Sequence, residues 1–207
     1  MTAAHDPLPP TQAVDWETRY REGATGWERP GLNRAFLAWR ESGALSPCRI
    51  LVPGAGRSTE PLVLAEAGFD VTVVDAAPSA IAAQRELLTN LHVRARVEFA
   101  DLFTWQPPTA FDAVYDQTCL CALPPSLWPD YVARLHGWLK PGGRLFVLFM
   151  QTGQPGGPPF HCDVATMRRL FAADSWEWPD HLGEPVLHES GRREQPVVLR
   201  TLTPTSR

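Results

Sequence analysis

Gly54 and Gly56, with Asp75 nineteen residues beyond the second glycine, are residue types and spacings that build half of a nucleotide site. The glycines let a backbone turn sharply and approach a ligand closely. A carboxylate at 75 accepts two hydrogen bonds from a ribose diol. Two further acids, Asp101 and Asp116, each follow a short apolar run in the same manner. Together they point to a nucleoside cofactor held by a row of loop residues.

The elements that must hold these residues follow from hydrophobic period and turn chemistry. Strands are expected at 49–52, 70–74, 97–100, 111–115 and 144–149, so that the glycine turn, Asp75, Asp101 and Asp116 all fall at strand ends. Helices are expected at 59–67, with Ser58 as cap and Gly68 as stop, at 80–88 behind Pro78-Ser79, at 127–139 capped by Ser126, and at 163–171 capped by Asp163. Lys140-Pro-Gly-Gly143 breaks the third of these, and the Pro- and Gly-rich residues 151–160 form a loop. Strands at 185–188 and 197–202, joined by a polar turn at 189–195, read as an antiparallel hairpin on the sheet edge. Alternation of strand and helix predicts an α/β fold: a Rossmann-like, doubly wound, mostly parallel seven-stranded sheet with helices on both faces and the hairpin at its C-terminal end. In such sheets ligands bind beyond the carboxyl ends of the strands.

Ahead of this core, Trp16 and Tyr20 are four apart and share a helical face, Gly23 stops that helix, and 33–42 forms a second short helix ended by Gly43. Residues 1–12 read as a flexible tail and 13–204 as one domain, divided into an N-terminal helical lid (13–45) and the α/β core (46–204).

With 207 residues, the chain is long enough to bury a substantial core. A net charge of −4 and the lack of a basic run exclude nucleic acid as the expected partner. The longest apolar run, 145–150, is too short to span a membrane, and the N-terminus lacks the pattern of a signal peptide, so a cytoplasmic monomer is expected. The four cysteines lack framework spacing. Cys119 and Cys121 lie too close in sequence for a usual zinc pair and read as packed thiols, so no metal is expected.

A glycine turn with a ribose acid serves either a dinucleotide or S-adenosylmethionine. Here Arg57 and Ser58 follow Gly56 and the third glycine of a dinucleotide fingerprint is absent, which favours the phosphate-free cofactor. Four blocks extend the pattern: Trp16-x3-Tyr20-x2-Gly23-x-Thr25-Gly26-Trp27, Val52-Pro-Gly-Ala-Gly-Arg57, Phe111-Asp-Ala-Val-Tyr-Asp116 and Gly156-Gly-Pro-Pro-Phe160. On these the chain resembles class I S-adenosylmethionine-dependent methyltransferases, and within them the thiopurine S-methyltransferase family with its thiol, halide and metalloid methyltransferase relatives. The match runs from about Trp16 to Phe171.

The resemblance implies roles by position. Trp16, Tyr20 and Trp27 match a lid over the cofactor, and Gly54, Ala55 and Gly56 the turn beside its methionyl part. Asp75 matches the ribose acid and Ala76 a residue against the adenine, whose edge Asp101 and Leu102 would read. Asp116 and Gln117 match the position near the sulfonium and the acceptor, and are the candidates for a catalytic role. Trp27, Gln117 and Phe160 would meet the acceptor. Two departures stand out: many members carry Arg at position 117, where Gln supplies no charge, and Ala55 replaces a common Cys.

The implied reaction is in-line methyl transfer to a small-molecule acceptor, with a thiol or another soft chalcogen as the expected nucleophile. A methyltransferase acting on oxygen or nitrogen, and a cofactor-binding protein without turnover, are the alternatives. Alignment within a dry pocket is the main protein contribution. A thiol of ordinary pKa, about 8.5, already supplies some thiolate near neutrality, so no dedicated base is required.

Overall fold

In the computed structural model of the chain, residues 14–188 and 190–203 are described; the expected tail at 1–12 lies outside them, as does Glu189 of the polar turn. Five strands form the parallel part of the sheet: β1 (Arg49–Pro53), β2 (Asp70–Asp75), β3 (Arg96–Phe99), β4 (Phe111–Asp116) and β5 (Leu139–Gln151). Three later strands, β6 (Trp176–Glu177), β7 (Val186–Leu187) and β8 (Arg193–Thr201), add antiparallel pairings. The order is β3-β2-β1-β4-β5-β8-β6, with β7 paired to β8 off this path. The expected mostly parallel α/β sheet is borne out, with eight strands among the described residues where seven are expected, because the two-residue β6 adds to the edge. Its winding reverses between β1 and β4, which pair in parallel, so a crevice opens at their carboxyl ends.

Strand alternation divides the core between the two faces. Ile50 and Val52 of β1, Val71 and Val73 of β2, and Ala113 and Tyr115 of β4 pack on one face with Phe36 and Phe146. Leu51, Val74, Val114, Leu145 and Val147 pack on the other with Tyr131, Leu135 and Trp138. Burying each such large apolar side chain contributes roughly 1.5–3 kcal/mol.

The helices are α1 (Trp16–Arg21), α2 (Arg34–Glu41), α3 (Glu60–Glu66), α4 (Pro78–Asn90), α5 (Cys119–Ala122), α6 (Trp128–Trp138) and α7 (Val164–Leu170). Asp15, Asn33 and Asp163 cap α1, α2 and α7 by accepting from the backbone N–H of Thr18, Ala35 and Thr166. Helix α4 has no such cap of its own. Glu17 of α1 supplies one, accepting from Ser79 N and Ser79 Oγ at 2.8 Å each, and so pins α1 to the start of α4. The expected lid divides here: α1 packs with Ala77 and Ala80, whereas Phe36 of α2 is fully buried in the core beneath the sheet.

Several boundaries differ from the sequence reading. Thr59, not Ser58, occupies the N-cap position of α3, with no side-chain hydrogen bond. Lys140-Pro-Gly-Gly143 does not interrupt pairing entirely: β5 begins at Leu139, and an irregularity between Phe111 and Ala113 absorbs the breaker, with Gly142 at φ +75°. The last strand begins at Arg193 and pairs along β5, placing it inside the sheet with β6 and β7 beyond it. Its polar start reads as a turn, yet Glu194 and Gln195 are buried because Arg29, Asn33 and the carbonyl of Gly183 satisfy them. Helix α5 and strand β6 are too short to leave a periodic signal.

Candidate active site

The crevice at the ends of β1, β2 and β4 is a cavity of about 460 Å³. Its wall at the end of β1 is the turn Gly54-Ala55-Gly56. Gly54 and Gly56 have φ of +55° and +56°, the left-handed region that glycine enters without strain. A Cβ on Gly54 would lie 2.7 Å from Cys119 Sγ, and one on Gly56 would lie 2.6 Å from the Tyr20 hydroxyl. The close approach that these glycines permit is therefore to the protein's own side chains. Gln84 of α4 braces the turn, donating to the carbonyls of Gly56 and Ser58 at 3.0 and 2.8 Å.

Asp75 is buried at the end of β2. One carboxylate oxygen accepts from Gly56 N at 2.9 Å and the other from Ala77 N at 2.8 Å. Burial pushes its pKa up against the pull of these backbone donors. Each oxygen keeps a lone pair for a further donor. Ala76 and Leu102 line the cavity beside it. Asp101 does not line it; one of its oxygens accepts from Phe103 N at 2.9 Å, and the other is buried without a partner.

Three aromatic side chains close the cavity from the N-terminal side. Trp27 meets Trp16 and Tyr20 edge to face, with ring centroids 5.2 and 5.5 Å apart. The guanidinium of Arg57 lies 4.6 Å over the Tyr20 ring. The Tyr20 hydroxyl is driven well above its usual pKa by burial and by the nearby Asp75 charge, so it stays protonated.

Asp116 lies behind the cavity. One oxygen accepts from the N–H groups of Cys119 and Leu120 at 2.9 and 3.3 Å, and the other from the Tyr131 hydroxyl at 2.9 Å. Burial pushes its pKa up to about 6 while these donors pull it down. It holds the start of α5 in place. Thr118, which lines the cavity, has φ +71°, an uncommon and strained conformation for a β-branched residue.

Gln117 lines the cavity and sits in a buried polar cluster that the sequence reading missed. With its amide oxygen toward Arg29 and its nitrogen toward Glu60, it accepts from Arg29 Nε at 3.3 Å and donates to Glu60 Oε1 at 2.8 Å and to the Tyr115 hydroxyl. The opposite orientation sets acceptors against acceptors and donors against donors. Arg29 is ion-paired with buried Glu194, which also accepts from Asn33 Nδ2 at 2.9 Å. The Asn33 N–H donates to Glu60 Oε1 at 3.1 Å. His188 lies close by, its pKa lowered to about 4 by burial and then by the Arg29 and Arg192 charges. Arg29, Glu60, His188 and Arg192 all line the cavity. In sequence Glu60 looks like an ordinary first-turn helix acid, and nothing local marks Arg29 or Glu194 as partners.

Of the sequence-predicted residues, Trp16, Tyr20, Trp27, Gly54, Ala55, Gly56, Asp75, Ala76, Leu102 and Gln117 come together around this cavity, while Asp101, Asp116 and Phe160 do not line it. Phe160 turns back onto Gly157 and packs against the core; Pro158 and Pro159 take the place expected for it.

Known proteins are similar to this chain over most of its length. Residues 11–203 match the family model for thiopurine S-methyltransferase. A probable thiol methyltransferase 2 of Arabidopsis thaliana is 30% identical over 159 residues, 75% of this chain and 70% of that protein. A thiopurine S-methyltransferase of Vibrio parahaemolyticus is 25% identical over 173 residues, 76% of this chain and 80% of that protein. Among solved structures, one described for conversion of a disulfide bond into a thioacetal group during echinomycin biosynthesis superposes with TM-score 0.77 at 19% identity, over 92% of each chain. The 1,6-didemethyltoxoflavin-N1-methyltransferase of Burkholderia thailandensis gives 0.74 at 21% identity, over 97% of this chain and 94% of that one. The family model covers most of the chain and the curated relatives are named as methyltransferases: this protein is a methyltransferase and belongs to the thiopurine S-methyltransferase family.

Proposed function

We propose that the cavity binds S-adenosylmethionine and directs its methyl group to a thiol or another soft chalcogen of a small molecule. The observation that carries this reading is the convergence of Asp75, the Gly54–Gly56 turn and three aromatic faces on one cavity. The residues fit the cofactor. Asp75 retains acceptor capacity for a ribose diol on oxygens already oriented by Gly56 and Ala77. Ala76 and Leu102 give the cavity an apolar surface for the adenine. When bound, the cofactor supplies an electrophilic methyl on a sulfonium. Trp16, Tyr20 and Trp27 exclude water and turn electron-rich faces to positive charge. The end of the cavity lined by Gln117, Thr118, Cys121, Met150 and Pro159 takes the acceptor. The thiol and thiopurine names of the relatives support sulfur as the receiving atom.

The test is a methyl-transfer screen in which S-adenosylmethionine is offered with alkyl and aryl thiols, hydrosulfide and selenide, and with phenol and amine controls. Transfer to sulfur or selenium with little to oxygen or nitrogen is expected. Transfer only to the phenol or amine would replace the acceptor class. Cofactor binding without transfer to any acceptor would mark a module that has lost turnover.

A further inference from the structure

Given methyl transfer to sulfur at this site, we propose that Glu60 accepts the proton of a neutral thiol as the sulfur attacks, so that the acceptor enters as R–SH and not as a preformed anion.

Four buried acids among the described residues surround the cavity or lie behind it, and three have other work. Asp75 holds the glycine turn and Ala77 and is the ribose acid of the proposed reading. Asp116 spends both oxygens on α5 and Tyr131. Glu194 is paired with Arg29 and Asn33. Glu60 remains. It lines the cavity beside Gln117, is only 2% exposed, and its hydrogen-bond partners among the described residues are neutral: Asn33 N, the Gln117 amide and Ser58. Desolvation raises its pKa while those donors, and Arg29 at longer range, lower it. The net direction is upward, which favours proton uptake by this carboxylate relative to an exposed one.

The charge inventory points the same way. The groups facing Glu60 are Arg29 and Asn33 from the segment before α2, Ser58 from the turn, and Tyr115 and Gln117 from the end of β4, with Glu194 of β8 beyond Arg29. Close to Glu60, the buried carboxyl groups of Glu60 and Glu194 stand against the half-buried guanidinium of Arg29, and His188 is neutral near pH 7; Arg19 and Arg57 line the cavity as well. Arg192 is exposed at the mouth. Beside Glu60 the one guanidinium is already paired with Glu194, so an incoming anion meets no spare cation there among the described residues. This arrangement suits a bound sulfonium, whose charge offsets the surplus carboxylate. Methyl transfer removes that sulfonium charge, and protonation of Glu60 in the same step removes the negative charge it had balanced.

The step balances. The thiol sulfur forms a bond to the methyl carbon. The bond from that carbon to the sulfonium breaks, and its electron pair stays on the departing sulfur as a neutral thioether. The S–H proton passes to a Glu60 oxygen and afterwards to solvent.

The experiment compares wild type with Glu60→Gln, whose amide oxygen still accepts from Asn33 N. Two acceptors are used at pH 7: 2-mercaptoethanol, protonated at this pH, and 4-nitrothiophenol, already ionised. S-Adenosylhomocysteine binding is read in parallel by calorimetry. The ratio of kcat/KM for the alkanethiol to that for the aryl thiolate is expected to fall about 100-fold in Glu60→Gln. Glu60→Asp should recover part of it, and S-adenosylhomocysteine affinity should stay within about threefold. Equal losses with both acceptors, or loss of S-adenosylhomocysteine binding, would make Glu60 a positioning residue and overturn the proposal while leaving thiol methylation intact as a reading. Failure of wild type to methylate either thiol would overturn both.

Discussion

Asp75 and Asp116 end two strands that flank β1, and their surroundings give them different work. Asp75 faces the cavity, and Asp116 is sealed behind it under α5 and Tyr131. The consequence for Asp116 is measurable. Its pKa of about 6 lies above the ordinary 3.8, so between those values the folded chain holds more protons than the unfolded one. Stability contributed by this carboxyl therefore falls as pH rises from about 4 to 6, by about 3 kcal/mol in all. Asp116→Asn, which keeps an acceptor for Cys119 N, should flatten that part of the profile and raise the thermal midpoint at pH 7. An unchanged slope in melting curves between pH 4 and 6 would show that Asp116 does not carry the charge penalty. From sequence both acids look alike, because only burial and partners distinguish them. Gln117 was similarly legible as a departure but not as a bridge. Its amide links Arg29, from the segment before α2, to Glu60 at the start of α3.

At the scale of elements, α1 and the glycine turn act as one unit. Glu17 fastens α1 to the start of α4, Gln84 of α4 braces the turn, and the Tyr20 hydroxyl lies 2.6 Å from where a Cβ of Gly56 would be. Gly56→Ala should therefore combine backbone strain with displacement of α1. The expected result is faster limited proteolysis at residues 16–21 and at least tenfold weaker cofactor affinity, with the sheet intact by circular dichroism. Proteolysis and affinity equal to wild type would separate α1 from the turn. The parallel strands and their helices were readable because apolar period and caps coincide there; Asn33 and Asp163 cap as their types demand. The start of β8 was not, since Glu194 and Gln195 are polar residues whose burial depends on partners distant in sequence. Phe160 was misplaced for a related reason. Its loop is recognisable, but which of its residues faces the cavity is decided by packing of the ring on Gly157 and the core.

At the scale of the whole molecule, one reversal of strand order gathers a turn after β1, an acid after β2 and an amide after β4 around a single cavity, and α1 and the segment that follows it cover that cavity. Among the described residues no helix is long and apolar enough to cross a membrane. The central claim is that this cavity is built for S-adenosylmethionine, with Asp75 as its ribose acid. Isothermal titration with S-adenosylhomocysteine, S-adenosylmethionine and NAD, on wild type and Asp75→Ala, tests it most directly. Heat of binding is predicted for the first two ligands and none for NAD, with affinity at least tenfold weaker in Asp75→Ala. No heat with S-adenosylhomocysteine, or an Asp75→Ala variant that binds it as tightly as wild type, would contradict the account.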